Sequence, residues 1–315
     1  MKEYVFGVDV GGTTVKMGLF NNSGELIEKW EIPTDTSDGG KNILKDISEA
    51  IDQKLADKNI DKANVEGVGI GIPGPVNSQG VVNHCVNLGW GVVPVSEELE
   101  KLSGLPVMAG NDANVAAMGE AFVGAGKNSD SIVMITLGTG VGAGIIIDGK
   151  ILAGHNGAAG ECGHIHVNDH ETEACGCGNY GCLEQYASAT GIVRMANRML
   201  ADSDDPSSLR DLDEITSKDV FDAAKNGDEF AGKVVREVCD ILGKAIAAIC
   251  NVVNPEMVVI GGGVSNAGSI LLNEMDEAFR TEVFHGARDT VISLATLGND
   301  AGIFGGAGMI VNAAQ

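Results

Sequence analysis

Apolar and polar positions along this chain follow two alternating rhythms. Residues 4–10 form an apolar, β-rich run that ends in Asp9-Val10-Gly11-Gly12-Thr13-Thr14, and residues 15–20 and 26–32 form two more. Runs joined by Gly-Gly-Thr-Thr predict a β-hairpin. The period then changes: Ile43, Leu44, Ile47, Ile51 and Leu55 recur at helical spacing and predict a helix over residues 42–58. Residues 65–72 predict a strand stopped by Pro73-Gly74-Pro75, a strong breaker. Residues 106–109 are short and extended. They lead through Asn111-Asp112-Ala113-Asn114 into a helix over about residues 115–123.

The second half repeats the opening. A strand over residues 131–137, a turn Gly138-Thr139-Gly140-Val141-Gly142 and a strand over 143–147 echo the first glycine-threonine hairpin. This loose internal repeat predicts two related halves. A helix over about 187–200, an acidic connection over 202–214 and a long helix over 230–253 follow. The long helix carries Val234, Val238, Ile241, Leu242, Ala245, Ile246, Ile249 and Val253 on one side, more apolar surface than one core needs. A buried strand over 257–260 ends in Gly261-Gly262-Gly263. A helix, a strand over 291–297 and a small-residue helix from 301 close the chain. Strands alternating with helices make the class α/β.

At 315 residues the chain buries a sizeable core and predicts two domains. Its 44% hydrophobic content, with no apolar run long enough to span a bilayer, predicts a soluble globular protein that is not a membrane protein. Lys and Arg number 21 against 44 Asp and Glu, a net charge of −23. Such a chain repels nucleic acid and anionic membrane surfaces, so neither is expected as a partner. Any anionic cofactor must be held by local N–H groups, a few cations or a divalent metal.

The sharpest chemistry lies in a glycine-rich stretch. His164 is followed eleven positions later by Cys175, then by Cys177 and Cys182, with Glu161 and Glu184 on either side. Three thiolates and an imidazole match a structural zinc site with all four positions filled by protein. The seven cysteines are an odd number, and the first residues enter a strand directly with no resemblance to a signal peptide, so a disulfide framework is not expected. Ordinary buried thiols suit Cys239, Cys250 and Cys85 better than a glycine loop. The flanking carboxylates suggest a pre-set site for a polar ligand.

Three glycine clusters are candidate phosphate contacts. Asp9, Gly11, Gly12, Thr13, Thr14 and Lys16 offer N–H groups, hydroxyls, a cation and an acid within eight positions. Asp9 is placed to position Mg2+ through water. Gly138, Thr139 and Gly140 form the partner loop, and Gly262 and Gly263 a third contact suited to an adenosine. Each alone also reads as a tight turn. Asp112 has two readings as well: a helix N-cap, or a general base, since an ordinary Asp has a pKa of about 3.9 and is ionised at neutral pH.

Together these residues resemble the ROK family of sugar kinases, repressors and open reading frames, within the actin-like ATPase superfamily. The resemblance covers essentially the whole chain. It rests on Asp9 to Lys16, Gly71-Ile-Pro-Gly-Pro75, Asn111 to Asn114, Leu137 to Gly142, the cysteine loop and Ile260 to Val264. Val86-Asn-Leu-Gly-Trp90 and Leu297-Gly-Asn-Asp-Ala-Gly302 bring it nearest to the family's bacterial ATP-dependent glucokinases. It implies an actin-like (ribonuclease H-like) fold of two α/β domains around a cleft. One domain would comprise residues 1–111 plus 302–315, the other residues 112–301 with the zinc loop at 161–184. It implies ATP and Mg2+ as well as structural Zn2+, and phosphorylation of a hexose, D-glucose at O6. Asp112 matches the base. Asn111, Glu161, His164 and Glu184, joined by Asn87, match sugar contacts. Gly11, Gly12, Thr13, Thr14, Gly138, Thr139 and Gly263 match nucleotide contacts. A homodimer or homotetramer in the cytoplasm is implied too. Gly110 departs from the acidic residue many relatives carry there. The motifs do not report what sits at C2, which leaves N-acetylglucosamine, N-acetylmannosamine, mannose or fructose as other substrates, or a non-catalytic sugar sensor. Repressor members carry a DNA-binding segment before the first glycine loop, and none fits before residue 11.

Overall fold

A computed structural model describes residues 2–314. The chain opens with β1 (Tyr4–Val10), β2 (Thr14–Asn21) and β3 (Leu26–Pro33), paired antiparallel in turn. The helix α1 (Ile43–Lys58) leads to β4 (Val65–Ile72). A hairpin of β5 (Val81–Cys85) and β6 (Trp90–Pro94) and the helix α2 (Val95–Ser103) precede β7 (Val107–Asn111), which runs into α3 (Asp112–Phe122). Then come β8 (Ile132–Leu137), β9 (Val141–Ile147) and the short β10 (Lys150–Ile151). After the cysteine loop follow α4 (Glu184–Ala187), α5 (Ala189–Ala201), α6 (Ser217–Lys225) and α7 (Glu229–Val253). The chain ends with β11 (Met257–Gly261), α8 (Ser269–Glu282), β12 (Val291–Leu294) and α9 (Ala301–Ala313).

The two five-stranded sheets have strand orders β3-β2-β1-β4-β7 and β10-β9-β8-β11-β12. Counted along each half, both read third, second, first, fourth, fifth. The glycine-threonine echo in the sequence is therefore an echo of topology. In the first sheet β1 and β4, and β4 and β7, pair in parallel; the inner strands β1 and β4 are buried along most of both faces, while β7 at the edge is partly exposed. The edge strand β3 alternates half-buried and exposed positions instead. The helix α1 puts Ile43, Leu44, Ile47, Ile51 and Leu55 into a core shared with Val8, Val15 and Ile70.

Contacts group the chain into two compact units. The first holds residues 2–132, 144–160 and 296–314 of the described chain, the second residues 133–143 and 161–295. The expected division at 111/112 falls inside the first unit, because α3 packs on α9 there. The division expected at 301/302 moves to 295/296. The apolar face of α7 is covered within the second unit by α8, α6 and α5, which accounts for its surplus of hydrophobic positions. Two expected elements have different limits. The strand expected to reach 297 stops at Leu294, where a bend and a 3-10 turn take over. The helix expected over 187–200 is broken at Ser188 into α4 and α5. Among the described residues, no helix is long and apolar enough to cross a membrane.

Candidate active site and metal centre

In the first unit, β1 delivers Asp9 to the start of the Gly11-Gly12-Thr13 turn, and the hairpin register sets Asp9 opposite Lys16. The turn is closed by a Gly11 N–H to Thr14 C=O bond of 2.9 Å. It is tied to Thr34, whose hydroxyl donates to Gly11 C=O at 2.7 Å and whose N–H donates to Thr13 C=O at 2.9 Å. Lys16 Nζ donates to Asn299 C=O at 2.9 Å. Burial pushes the Asp9 carboxyl above its ordinary value; Lys16 opposes the rise and the Asp112 charge adds to it. Asp9 and Asp112 therefore feel one another. Gly302 makes room for this arrangement: a Cβ there would lie 2.5 Å from Asp9 Cγ. The missing side chain at Gly302 decides where Asp9 can stand.

Asn111 takes the N-cap of α3. Its Oδ1 accepts the Ala113 and Asn114 N–H groups at 3.0 and 3.2 Å. Asp112 is therefore the first helical residue and not the cap, which settles one of its two sequence readings. Asn111 Nδ2 donates to Gly74 C=O at 3.0 Å and to Asp112 Oδ1 at 2.9 Å, so the Asn side chain aims the acid. Asp112 is exposed in the first turn of an eleven-residue helix. Gly110 brings no looseness. It pairs with Gly71 across β4 and β7, and the two bare positions leave space for Val115 of α3 to pack down on the sheet. Asn87 is exposed on a 3-10 turn at the tip of the β5–β6 hairpin. The hairpin is anchored by Trp90 Nε1 donating to Gly40 C=O at 3.0 Å.

One buried acid escaped the sequence reading. Glu120 of α3 is fully buried and accepts the Thr296 and Leu297 N–H groups at 2.9 and 2.8 Å and the Ala125 N–H at 2.8 Å. It fixes the segment that leads to Lys16's partner Asn299 and to α9. Its signal was available: an acid within an otherwise apolar helical stretch, Val115 to Phe122.

In the second unit, His164, Cys175, Cys177 and Cys182 bring their ligand atoms within 4.8 Å of one another. Cys177 Sγ and Cys182 Sγ lie 3.7 Å apart, and Cys175 Sγ and His164 Nδ1 3.8 Å. A tetrahedral zinc with Zn–S bonds of about 2.3 Å has ligand–ligand edges of about 3.8 Å, so the donor set fits that ion in chemistry and in size. All seven cysteines are free thiols. Burial, and then the Glu184 carboxylate, push the Cys175 thiol up to about 12. The thiol donates to Glu184 Oε1 at 2.9 Å.

The same residues open onto a pocket. A cavity of about 400 Å3 is lined by Glu161, His164 and Glu184 together with Gly138, Gly140 and Gly262. His164 presents Nδ1 to the cysteines and lies with Nε2 4.0 Å from Glu161 Oε2. Three expected sugar contacts and two of the three expected phosphate clusters thus share one wall within this unit. Gly263 follows Gly262 at the start of a short 3-10 turn.

The sequence pattern described as the ROK family matches residues 5–313. A glucokinase of Halalkalibacterium halodurans is 45% identical over 309 residues, 96% of this chain and 94% of its own. A ROK family glucokinase from Streptomyces griseus, solved with glucose and AMPPNP, superposes with a TM-score of 0.71 at 34% identity, over 97% of this chain and 98% of that one. A ROK family transcriptional regulator, a homologue of the Escherichia coli MLC protein, superposes at 0.85 with 31% identity, over 98% of this chain and 78% of that one. With the repeated strand order, these likenesses establish the expected actin-like ATPase fold. The chain belongs to the ROK family.

Proposed function

We propose that this chain transfers the γ-phosphoryl group of ATP to O6 of D-glucose, giving glucose 6-phosphate and ADP. The observation that carries the reading is the pocket in which Glu161, His164 and Glu184 stand beside Gly138, Gly140 and Gly262. Groups suited to ring hydroxyls and backbone suited to phosphate line the same space. The relative named glucokinase and the neighbour solved with glucose and an ATP analogue support the choice of substrates. The fold alone would not, since a transcriptional regulator shares it.

Phosphoryl transfer asks a protein for positioning and charge compensation more than for covalent chemistry. Glu161 and Glu184 accept hydrogen bonds from ring hydroxyls. With Nδ1 turned to the cysteines, His164 bound to a metal there would carry its proton on Nε2 and donate it to the sugar. Asp112, aimed by Asn111, accepts the O6 proton as O6 bonds to the γ-phosphorus and ADP departs. The turn Gly11 to Thr14 with Lys16, and the loop 138–140, supply N–H groups and a cation to the phosphates. Asp9 is the group placed to hold Mg2+ through water, and that ion supplies charge neutralisation. Zinc on His164, Cys175, Cys177 and Cys182 supplies rigidity. A Cys175 thiolate serving as metal ligand would no longer donate to Glu184 Oε1, which would leave that carboxylate for the sugar. The implied homodimer or homotetramer is read by light scattering on the purified protein.

The test is ADP release by the purified protein with glucose, mannose, fructose, N-acetylglucosamine and N-acetylmannosamine in turn. Glucose is expected to give the highest kcat/KM. Absence of ADP release with every hexose would overturn the reading.

A further inference from the structure

A short polar corner joins the helix that carries Glu184 to the loop 138–140. Between α4 and α5, Ser188 caps α5 by accepting the Gly191 N–H at 2.9 Å, and its hydroxyl donates to Glu184 C=O at 2.6 Å. The next hydroxyl, Thr190 Oγ1, lies 3.0 Å from Ser188 Oγ and donates to Thr139 C=O at 2.7 Å. Each hydroxyl has one proton, so both are committed to carbonyls. The Ala189 N–H donates to Gly138 C=O at 2.8 Å. Two consecutive carbonyls of the loop are thus held by the first two residues of α5.

A trans peptide is planar, with its N–H opposite its C=O. Pinning the Gly138 and Thr139 carbonyls toward α5 therefore turns the Thr139 and Gly140 N–H groups away from it. The loop also lies close to Glu184: a Cβ at Gly140 would come within 2.8 Å of Glu184 Oε2, and Thr139, Gly140, Glu184, Ser188 and Thr190 line one cavity.

We infer that Thr190 is a positioning residue for nucleotide binding, its hydroxyl orienting the Thr139–Gly140 peptide so that the loop presents N–H donors to a phosphate. This rests on the reading of the chain as an ATP-dependent kinase. Thr190 touches neither substrate in this account; it acts through the loop.

The test compares Thr190→Val, which keeps the branched shape and removes the donor, with Thr190→Ser, which restores it. Steady-state KM values are measured for ATP and for glucose, and binding of a non-hydrolysable ATP analogue is measured by calorimetry. Thr190→Val is expected to raise the ATP KM and the analogue Kd by about three- to tenfold, the range for one lost hydrogen bond. The glucose KM should stay within about twofold, and Thr190→Ser should match the parent. An unchanged analogue Kd in Thr190→Val would overturn the inference, as would an equal rise in both KM values, the signature of a merely structural corner. A parent that released no ADP with any hexose would instead defeat the kinase reading, while calorimetry would still report on the loop.

Discussion

Asp112 occupies the first turn of α3 because Asn111 has taken the cap, and the Asn111 Nδ2 and Ala113 N–H groups both donate to its Oδ1. A base at this position acts only in the transition state, so its loss should appear in kcat and leave ground-state sugar binding alone. Asp112→Ala is expected to lower kcat by about 10²- to 10⁴-fold with glucose affinity within a few-fold of the parent. Single-turnover kinetics and a glucose titration read the two separately; near-normal turnover in a folded variant removes Asp112 from the mechanism. A second residue-scale argument concerns Glu171 in the cysteine loop. Its side chain is 1% exposed and accepts from Arg198, Arg194, the Tyr186 hydroxyl and the Thr172 and Glu173 N–H groups. The Arg198 hydrogen bonds, reinforced by Tyr186 and Glu173 against the cost of burial, hold its carboxyl far below the usual range. A carboxyl depressed in the folded state stabilises fully above its unfolded value, near 4.5, and loses that contribution as pH falls below it. Glu171→Gln should be less stable by about 3 kcal/mol at pH 7, as expected for breaking a buried charge pair. The gap to the parent should narrow in acid. Urea unfolding at a series of pH values checks this, and a gap that did not change with pH would refute it.

At the scale of elements, the cysteine loop is the piece whose order depends most on something other than a core. Between residues 165 and 183 it contains turns and isolated bridges, His166 with Cys182 and Ala174 with Tyr180, and no regular helix or strand. Glycines at 176, 178 and 181 raise the entropy lost on ordering it. Metal binding therefore contributes ordering free energy directly to the wall that holds Glu184 and His164. Cys177→Ala is expected to lose zinc, measured by elemental analysis, together with at least about tenfold in glucose affinity, comparable to losses from disturbed metal shells. Retention of one zinc per chain at parental affinity would separate loop from metal, and a zinc-free parent protein would end the proposal. This loop was legible because ligand chemistry leaves a spacing that packing does not imitate. Other elements were not. The β5–β6 hairpin lacks a clean alternation, since its strands bury positions unevenly around the tip that carries Asn87. The helix α2 has only Val95 and Leu99 as buried hydrophobic anchors. The helix α6 left a signal just beyond the acidic connection, the Thr216–Asp219 capping box. The contacts of Glu171 with Tyr186, Arg194 and Arg198 and that of Thr190 with Thr139 span 15 to 51 positions, and no local pattern encodes them.

At the scale of the whole molecule, the repeated strand order shows what a sequence echo can mean. Glycine-threonine turns at 11–14 and 138–142 mark the first hairpin of each sheet, and the remaining strands fall in the same order in both. The halves differ in what they add: the first inserts the β5–β6 hairpin between its fourth and fifth sheet strands, the second the cysteine loop and α4 to α6 after its third. Charge is the other property of the whole. A net charge of −23 repels an anionic nucleotide at long range, while the proposed contacts, the N–H groups of the glycine turns and Lys16, would attract it at close range. Screening treats the two unequally. The Debye length falls from about 30 Å at 0.01 M salt to about 8 Å at 0.15 M, so the distant repulsion is removed before the close contacts weaken. The KM for ATP, at constant free Mg2+, should therefore fall by about twofold or more over that range and rise again only at higher salt. Glucose carries no charge, and its KM should stay flat and serve as the internal control. An ATP KM that climbed steadily from the lowest salt would mean that an attractive local field governs nucleotide approach, and that the overall acidity of the chain has no part in it.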